Sequence, residues 1–587
     1  MSYETDCYDK PVFVDDFVPG TCVVVSPRPR RQQDGLGKAA RDPDLRTQYL
    51  ARAFSEMPRL IGAVDRNPYR PTYGCFDREH WHYRTASFAS QMYQEGVLPL
   101  AMVYATRLPG NVWYKNQRVR ELAIAGIHFA AKNSHSDGSC DDYYPYERAL
   151  GAAVFSLQAA ASAYRLLEID DPKLVDWFRC RSRWMMENDE SGNLTNHHAL
   201  AALGLLYVSQ ITGDETFRRA ADERIEKVLS WQDEEGWFEE YGGADPGYQT
   251  ITIDCLAKYR QLTGDERLER PLYKATQFAR LFLHPDYSYG GEYGSRGTQH
   301  FFPHGMELLA SRNPDAADLA DGFLHSLANG TNAHFGDDRM FIHQIASLIG
   351  AYKDWSSTRP ESRPTLKNSS THYFDRARLI VRRTSNSHTV ISGAKCGAFK
   401  HFSDSSRPMT DAGLIVETTD GRIAVSNMQS SQHKIDPPFD VQDFRCSLTV
   451  VGNLNWAKFE TISPPKQMLL HFGMLTIGRW CRTAVRKMLQ KRLITGRHVC
   501  PIRLTRSFEF LDGVSGDDDI SVRITDTIEL TDPKIRLRRM AFGNDHFSTY
   551  VAACGVYQES AITPWLDLAQ YIDTLNRERK VTIVREQ

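Results

Sequence analysis

The sequence has no charge imbalance, no membrane span and no cysteine framework, and each absence removes a class of function. Lys and Arg number 71 against 73 Asp and Glu, a net charge of −2. No global positive field therefore points to nucleic acid as a partner. No stretch approaches the apolar length that crosses a bilayer. The 11 cysteines are scattered, odd in number and without a CxxC pair, and read as free thiols in a reducing compartment. The start, Met1-Ser2-Tyr3-Glu4-Thr5-Asp6, has no basic region leading into an apolar run. That predicts a cytoplasmic location by default, with the periplasm open if the chain is trimmed. GxxxxGK[ST], GxSxG and HExxH are absent, which argues against nucleotide binding, a serine-hydrolase elbow and a zinc protease.

What is present is a chain of 587 residues, too long for one ordinary core, with a normal soluble balance of 41% hydrophobic and 25% charged residues. Aromatics, at 11%, suit either a sugar-stacking groove or a large core. Residues 1–40 are loop-like around Pro27-Arg28-Pro29-Arg30-Arg31 and read as an N-terminal extension. Helical spacing then begins with Leu50, Ala51, Phe54 and Met57 and persists to about Trp355.

A loose repeat runs through this half. Gly-containing acidic turns recur at Gly138, Gly192, Gly236 and Gly290, and a second turn, Thr-Gly-Asp-Glu, recurs at Thr212–Glu215 and Thr263–Glu266. That spacing holds two helices and two loops, so hairpins stack and can close into a ring. Residues 41–357 are therefore predicted to form an α/α-toroid, an incomplete barrel of helical hairpins. Ser356–Asn368 is a Pro/Ser-rich linker, and β-branched runs follow, including Ala377–Arg382, Thr389–Gly393 and Gly413–Thr418. Residues 370–587 are predicted to form an antiparallel β-sandwich, giving an α+β two-domain protein. One basic amphipathic helical insertion, residues 467–497, interrupts it. Its basic face suits an anionic membrane surface, an acidic polymer, or plain solvent with the other face on the sandwich.

The chemistry gathers after the glycine turns. Tyr144, Glu147 and Arg148 follow Gly138; Asn196, His197 and His198 follow Gly192; Tyr241, Tyr248 and Gln249 follow Gly236; Arg296, His300 and His304 follow Gly290. Such residues on one rim of a helical scaffold suit a substrate cleft. β-Elimination from a uronate needs the carboxylate neutralised, a base for the C5 proton and an acid for the leaving oxygen. Asn196, His197 and Tyr248 supply those types. Taken singly, an Asn-His pair at a helix start also reads as a cap and a surface histidine.

Asn196-His197 and Tyr248 resemble the heparinase II/III-like family of alginate lyases and heparinases, which join an α/α-toroid to an antiparallel β domain. The resemblance implies Tyr248 as catalytic acid, with the role of base also open to it, and Asn196 on the carboxylate, where His197 is expected to join it. It also implies a histidine from the β domain, for which Gly397–Asp404 offers His401. Members commonly carry His-x-His-x-Asp here, whereas this chain has Arg407-Pro408-Met409-Thr410-Asp411. Either Arg407 replaces the histidine or His401 reaches in from a shifted loop. The family's structural metal uses that run, so no metal and no cofactor are expected. The segments Pro71–Arg78, Trp81–Arg84 and Asp137–Pro145 resemble the exopolysaccharide-associated bacterial branch, which implies an acidic polysaccharide as partner. A glycoside hydrolase using Asp141, Asp142, Glu147 or Glu240, a uronyl C5-epimerase, and a non-catalytic polymer-binding protein remain the alternatives.

Overall fold

The structure, a computed structural model, describes residues 45–190, 192–336, 339–361, 370–404, 407–436, 447–459, 461–476, 478–490, 496–511, 521–546, 548, 556–558 and 562–586. The proposed extension at 1–40 and most of the Ser356–Asn368 linker lie outside them.

Six inner helices touch in cyclic order: Val97–Ala105, Leu150–Leu166, Thr195–Thr212, Pro246–Thr263, His304–Ala310 and Met340–Asp354, the last lying against the first. The ring closes, which corrects the expected incomplete barrel. The glycine repeat begins only at Gly138, and the helices before it, Thr47–Ala63 and Val97–Ala105, supply the closing contacts with Met340–Asp354. Inner helices are packed on nearly every side. Leu150–Leu166 is rich in alanine and almost wholly buried, as a helix between two layers must be. Outer helices such as Glu215–Ser230 bury one stripe only.

The two turn types have different physical jobs. Gly138 sits at φ +85°, and a Cβ there would lie 2.6 Å from the Arg181 backbone nitrogen, so the loop can pass the neighbouring helix only as glycine. In the Thr-Gly-Asp-Glu turns, Gly213 and Gly264 end the inner helices in the left-handed region. Asp214 and Asp265 then accept backbone N–H groups to start the next helical turns.

The β domain is antiparallel. A five-stranded sheet runs Ser370–Phe374, Leu379–Arg383, Ser387–Ser392, Ala398–Ser403 and Met409–Asp411 in sequence order. Its side chains alternate between two cores. Leu379, Val381 and Val390 join the helical core, whereas Ile380, Ile391 and Phe399 pack with Leu448, Phe508 and Ile524 of a nine-stranded sheet. The larger sheet is curled, so the sandwich expectation holds only in part. Ser447–Ala457 changes partner along its length, from Lys434–Asp436 to Ile423–Val425, and its register against Val499–Phe510 shifts between Asn453 and Asn455. Such irregularities bend a sheet.

The basic insertion leaves this sheet between Ser447–Ala457 and Val499–Phe510 as two helices, Pro464–Leu475 and Arg482–Gln490, with Gly478–Trp480 between them. It crosses to the helical domain. Arg482 donates to Asn188 Oδ1 at 3.1 Å, and His471 lies 6.3 Å from the Phe88 ring.

Candidate functional site

A cavity of about 400 Å³ lies at one mouth of the ring, under the insertion. Its wall combines the loop before Leu150 (Asp142, Tyr143, Tyr144, Glu147), the start of the Thr195 helix (Asn196, His197), the approach to Pro246 (Glu240, Tyr241, Tyr248), Arg296, Arg339, and Leu470, Arg486 and Leu489 of the insertion.

Asp245 organises the centre. It caps the Pro246 helix by accepting the Tyr248 N–H at 3.1 Å, and its other oxygen accepts the Arg296 N–H at 2.9 Å. One carboxylate thus fixes the backbone of both residues. Asn196 Nδ2 donates to Glu240 Oε2 at 2.8 Å, while Asn196 Oδ1, buried, has no partner among the described residues. Burial pushes Glu240 up to about 8, against the opposing pull of Asn196 and Arg296. Burial likewise raises the Tyr248 phenol well above its ordinary value, with Arg296 opposing. At neutral pH both groups therefore hold their protons. The Arg296 guanidinium stacks 4.1 Å over the Tyr241 ring. Tyr241 holds φ +53°, an uncommon conformation for a bulky residue.

The opposite wall is also polar. His197 Nδ1 lies 3.0 Å from Glu190 Oε2, and Glu190 is in turn paired with Arg486 of the insertion. The His197 ring has room because residue 151 is glycine; a Cβ there would meet its Cε1 at 2.9 Å. Glu147 accepts the Tyr143 N–H at 2.7 Å and is pushed up to about 8 by burial and then by Asp142. The Tyr144 hydroxyl is buried without a partner among the described residues. Asp142 accepts from Ser90 at 2.6 Å and faces Arg339 at 3.5 Å.

Seven of the fourteen sequence-predicted site residues therefore meet in this cavity: Tyr144, Glu147, Asn196, His197, Tyr241, Tyr248 and Arg296. The other seven do not line it, and most have visible structural duties. His401 is wholly buried in the five-stranded sheet, its ring nitrogens 2.8 Å from Thr389 Oγ1 and 2.7 Å from Ser521 Oγ. Arg407 is exposed on the β domain. Neither fills the expected β-domain role; the insertion's Arg486 reaches the cavity instead. Arg148 turns away to pair with Asp137. His198 lies 2.9 Å from Arg224 inside the helical layer and is pushed down to about 3 by burial and that arginine. Gln249 caps Phe238 N–H at 2.9 Å and reaches Gly236 O at 3.1 Å. His304 binds Asp354 at 2.6 Å. His300 lies behind Tyr248, ring centroids 5.3 Å apart. One residue further along a helix rotates a side chain by about 100°, which turns His198 away from the cavity that His197 lines.

Sequence reasoning missed Glu190, Arg339 and Arg486 as wall residues. Arg486 had a signal, since Arg482 and Arg486 share a helix face at i,i+4. Arg339 had none. Among the described residues, no cluster of three or more His, Cys, Asp or Glu is arranged to hold a metal.

No family model matches the chain, and no curated relative matches it. Among solved structures it is similar to the chondroitin AC lyase of Streptomyces coelicolor A3, solved with chondroitin sulphate, at a TM-score of 0.46 and 11% identity over 85% of this chain and 68% of that one. It is similar to heparinase III at a TM-score of 0.41 and 10% identity, over 84% of this chain and 74% of that one. An unsaturated glucuronyl hydrolase of Streptococcus agalactiae covers the smaller share, with a TM-score of 0.36 and 11% identity over 53% of this chain and 92% of that one. All three fall below a TM-score of 0.5, so function has to be argued from the cavity's own residues.

Proposed function

We propose that this protein is a polysaccharide lyase, cleaving an acidic, uronate-containing polymer of the exopolysaccharide kind by β-elimination. One observation carries this function: Tyr248, Asn196, Glu240, Arg296, His197 and Arg486 converge on a single cavity from four separate stretches of chain. The resemblance of Asn196-His197 and Tyr248 to heparinase II/III-like lyases agrees with it.

The proposed roles follow from charge. The substrate carboxylate needs cations and donors, which Arg296, Arg486 and the second N–H of Asn196 offer. A carboxylate that is neutral at pH 7 repels no anion, and burial puts Glu240 in that state. The C5 proton passes to His197, whose other face is held by Glu190. The electron pair left behind forms the C4=C5 double bond as the C4–O4 bond breaks. Tyr248, kept as the neutral phenol, gives its proton to the departing O4. Atoms and charge balance, and the products are an unsaturated uronide and a free hydroxyl.

A second function has its own observation in support. Glu147 and Glu240 are both pushed up to about 8, and a buried protonated carboxyl is what a glycoside hydrolase uses as general acid. The products separate the two. A panel of acidic polysaccharides, incubated with wild type and Tyr248→Phe, would be followed by the ultraviolet absorbance of the unsaturated uronyl end. Absorbance that grows with the wild type and falls by roughly 10²- to 10⁴-fold in the variant is the expected outcome. Chain shortening without absorbance would replace the lyase with the hydrolase.

A further inference from the structure

The insertion that roofs the cavity has two faces, and the function proposed above uses only the inner one. Leu470, Arg486 and Leu489 face the cavity, and Met474 is fully enclosed. The outer face is apolar. Met468 and Leu469 are each 72% exposed, Phe472 67%, Trp480 79% and Met488 59%. Along Pro464–Leu475 the exposed Met468, Leu469, Phe472 and Leu475 follow i, i+3 and i+4 spacing, while Leu470 and Met474 take the other side. Large apolar groups side by side along one helix face, as Met468, Leu469, Phe472 and Leu475 are, call for a partner.

The charge around this face says which. From Ile462 to Arg497 there are eight Lys and Arg and no Asp or Glu, in a chain whose net charge is only −2. Lys466 and Lys487 are exposed beside the apolar groups. Exposed Trp, Phe, Leu and Met flanked by lysine and arginine, with acids excluded, is the composition of a helix that lies in the headgroup region of an anionic bilayer. A second copy of this face would bring like charge against like. A polysaccharide would pair with the cations but leave the apolar side chains without an apolar environment. No helix among the described residues is long and apolar enough to cross a membrane, so the contact is with the surface.

We propose that the outer face of the helices Pro464–Leu475 and Arg482–Gln490 docks the protein on an anionic lipid surface, holding the mouth of the ring against the membrane plane. The inner face meanwhile supplies Arg486 to the cavity. The docking does not depend on which reaction the cavity performs.

The test is co-sedimentation of the full chain with vesicles of equal parts phosphatidylglycerol and phosphatidylcholine, against phosphatidylcholine alone. Binding to the anionic vesicles should be at least about tenfold tighter and should weaken as salt is raised. Leu469→Glu with Phe472→Glu, at exposed positions, should abolish it while the melting temperature stays within roughly 2 °C of wild type. Lys466→Glu with Lys487→Glu should weaken it roughly tenfold or more. No sedimentation with anionic vesicles, equal binding to both compositions, or full binding by the Leu469/Phe472 variant would each overturn the proposal. A concentration-dependent dimer that the same variant dissolves would overturn it too, by showing that a second copy covers the face.

Discussion

Two buried polar clusters, one in each domain, show how differently similar residues can be used. In the β domain Arg506 and Arg585 meet Asp411 and Asp526. Asp411 Oδ1 accepts the Gly413 N–H at 2.7 Å, and Asp411 Oδ2 takes Arg585 at 2.8 Å and Arg506 at 3.0 Å. The Asp526 oxygens take Arg506 and Arg585, each at 2.6 Å. All four carboxylate oxygens are matched, and of the cations' nitrogens Arg585 Nε and Arg506 Nη2 make no hydrogen bond among the described residues, the latter pairing with Asp411 by charge. Burial alone would raise Asp411, yet the two arginines hold it below its ordinary range. In the helical domain the cavity cluster goes the other way. Among the described residues Asn196 Oδ1 and the Tyr144 hydroxyl lack partners, and Glu147 and Glu240 are pushed up to about 8. A matched buried network ties the scaffold together, whereas an unmatched one is set up to meet something from outside.

The largest expected effect comes from breaking the matched cluster. Arg506→Met leaves Asp411 and Asp526 to share one arginine and should cost roughly 3–5 kcal/mol in denaturant melts. A loss under about 1 kcal/mol would remove the contrast on which the comparison stands.

Glu240→Gln sharpens the other side. The folded protein holds the Glu240 proton to about 8, against an ordinary value of 4.5, so the native state binds a proton that the unfolded chain has released. That stabilisation is complete below about 4.5 and is lost as pH rises through 8. Glutamine keeps an oxygen for Asn196 Nδ2 and titrates nothing. The variant should match wild type in acid and melt at a higher temperature than wild type above pH 8, which thermal melts across that range would read. Parallel curves at all pH values would mean that Glu240 is not held protonated.

The smallest effect on stability is expected from Tyr144→Phe. It deletes a buried hydroxyl that has no partner among the described residues, so stability should stay within about 1 kcal/mol or rise. Affinity for an acidic polymer should fall at the same time, measured by calorimetric titration. A substantial loss of stability with affinity intact would assign Tyr144 to the scaffold.

Much of this was legible in the chain. The glycine turns marked the hairpins by their spacing, whereas the reason Gly138 must be glycine, a Cβ that would strike the Arg181 backbone, was visible only in the fold. The repeat placed Asn196 and Tyr248 on one rim, and singling out the pair also took the resemblance. The failures share a cause. His198, Gln249 and His304 sit next to cavity residues or at a helix start, but rotation about a helix axis sends them into the layers. His401 carried the expected residue type in the expected region, and its two hydroxyl partners, one of them 120 residues away, could be found only in three dimensions.

The helical half, the antiparallel half, the order of the turns and the basic, amphipathic character of 467–497 are all written in the chain, because each depends on spacing and composition within a few tens of residues. Only the tertiary structure decided that the ring closes, that Arg486 completes the cavity from the other domain, and that one face of the insertion is left to the outside. Those outcomes depend on which surfaces meet across hundreds of residues, and no local pattern encodes such a meeting.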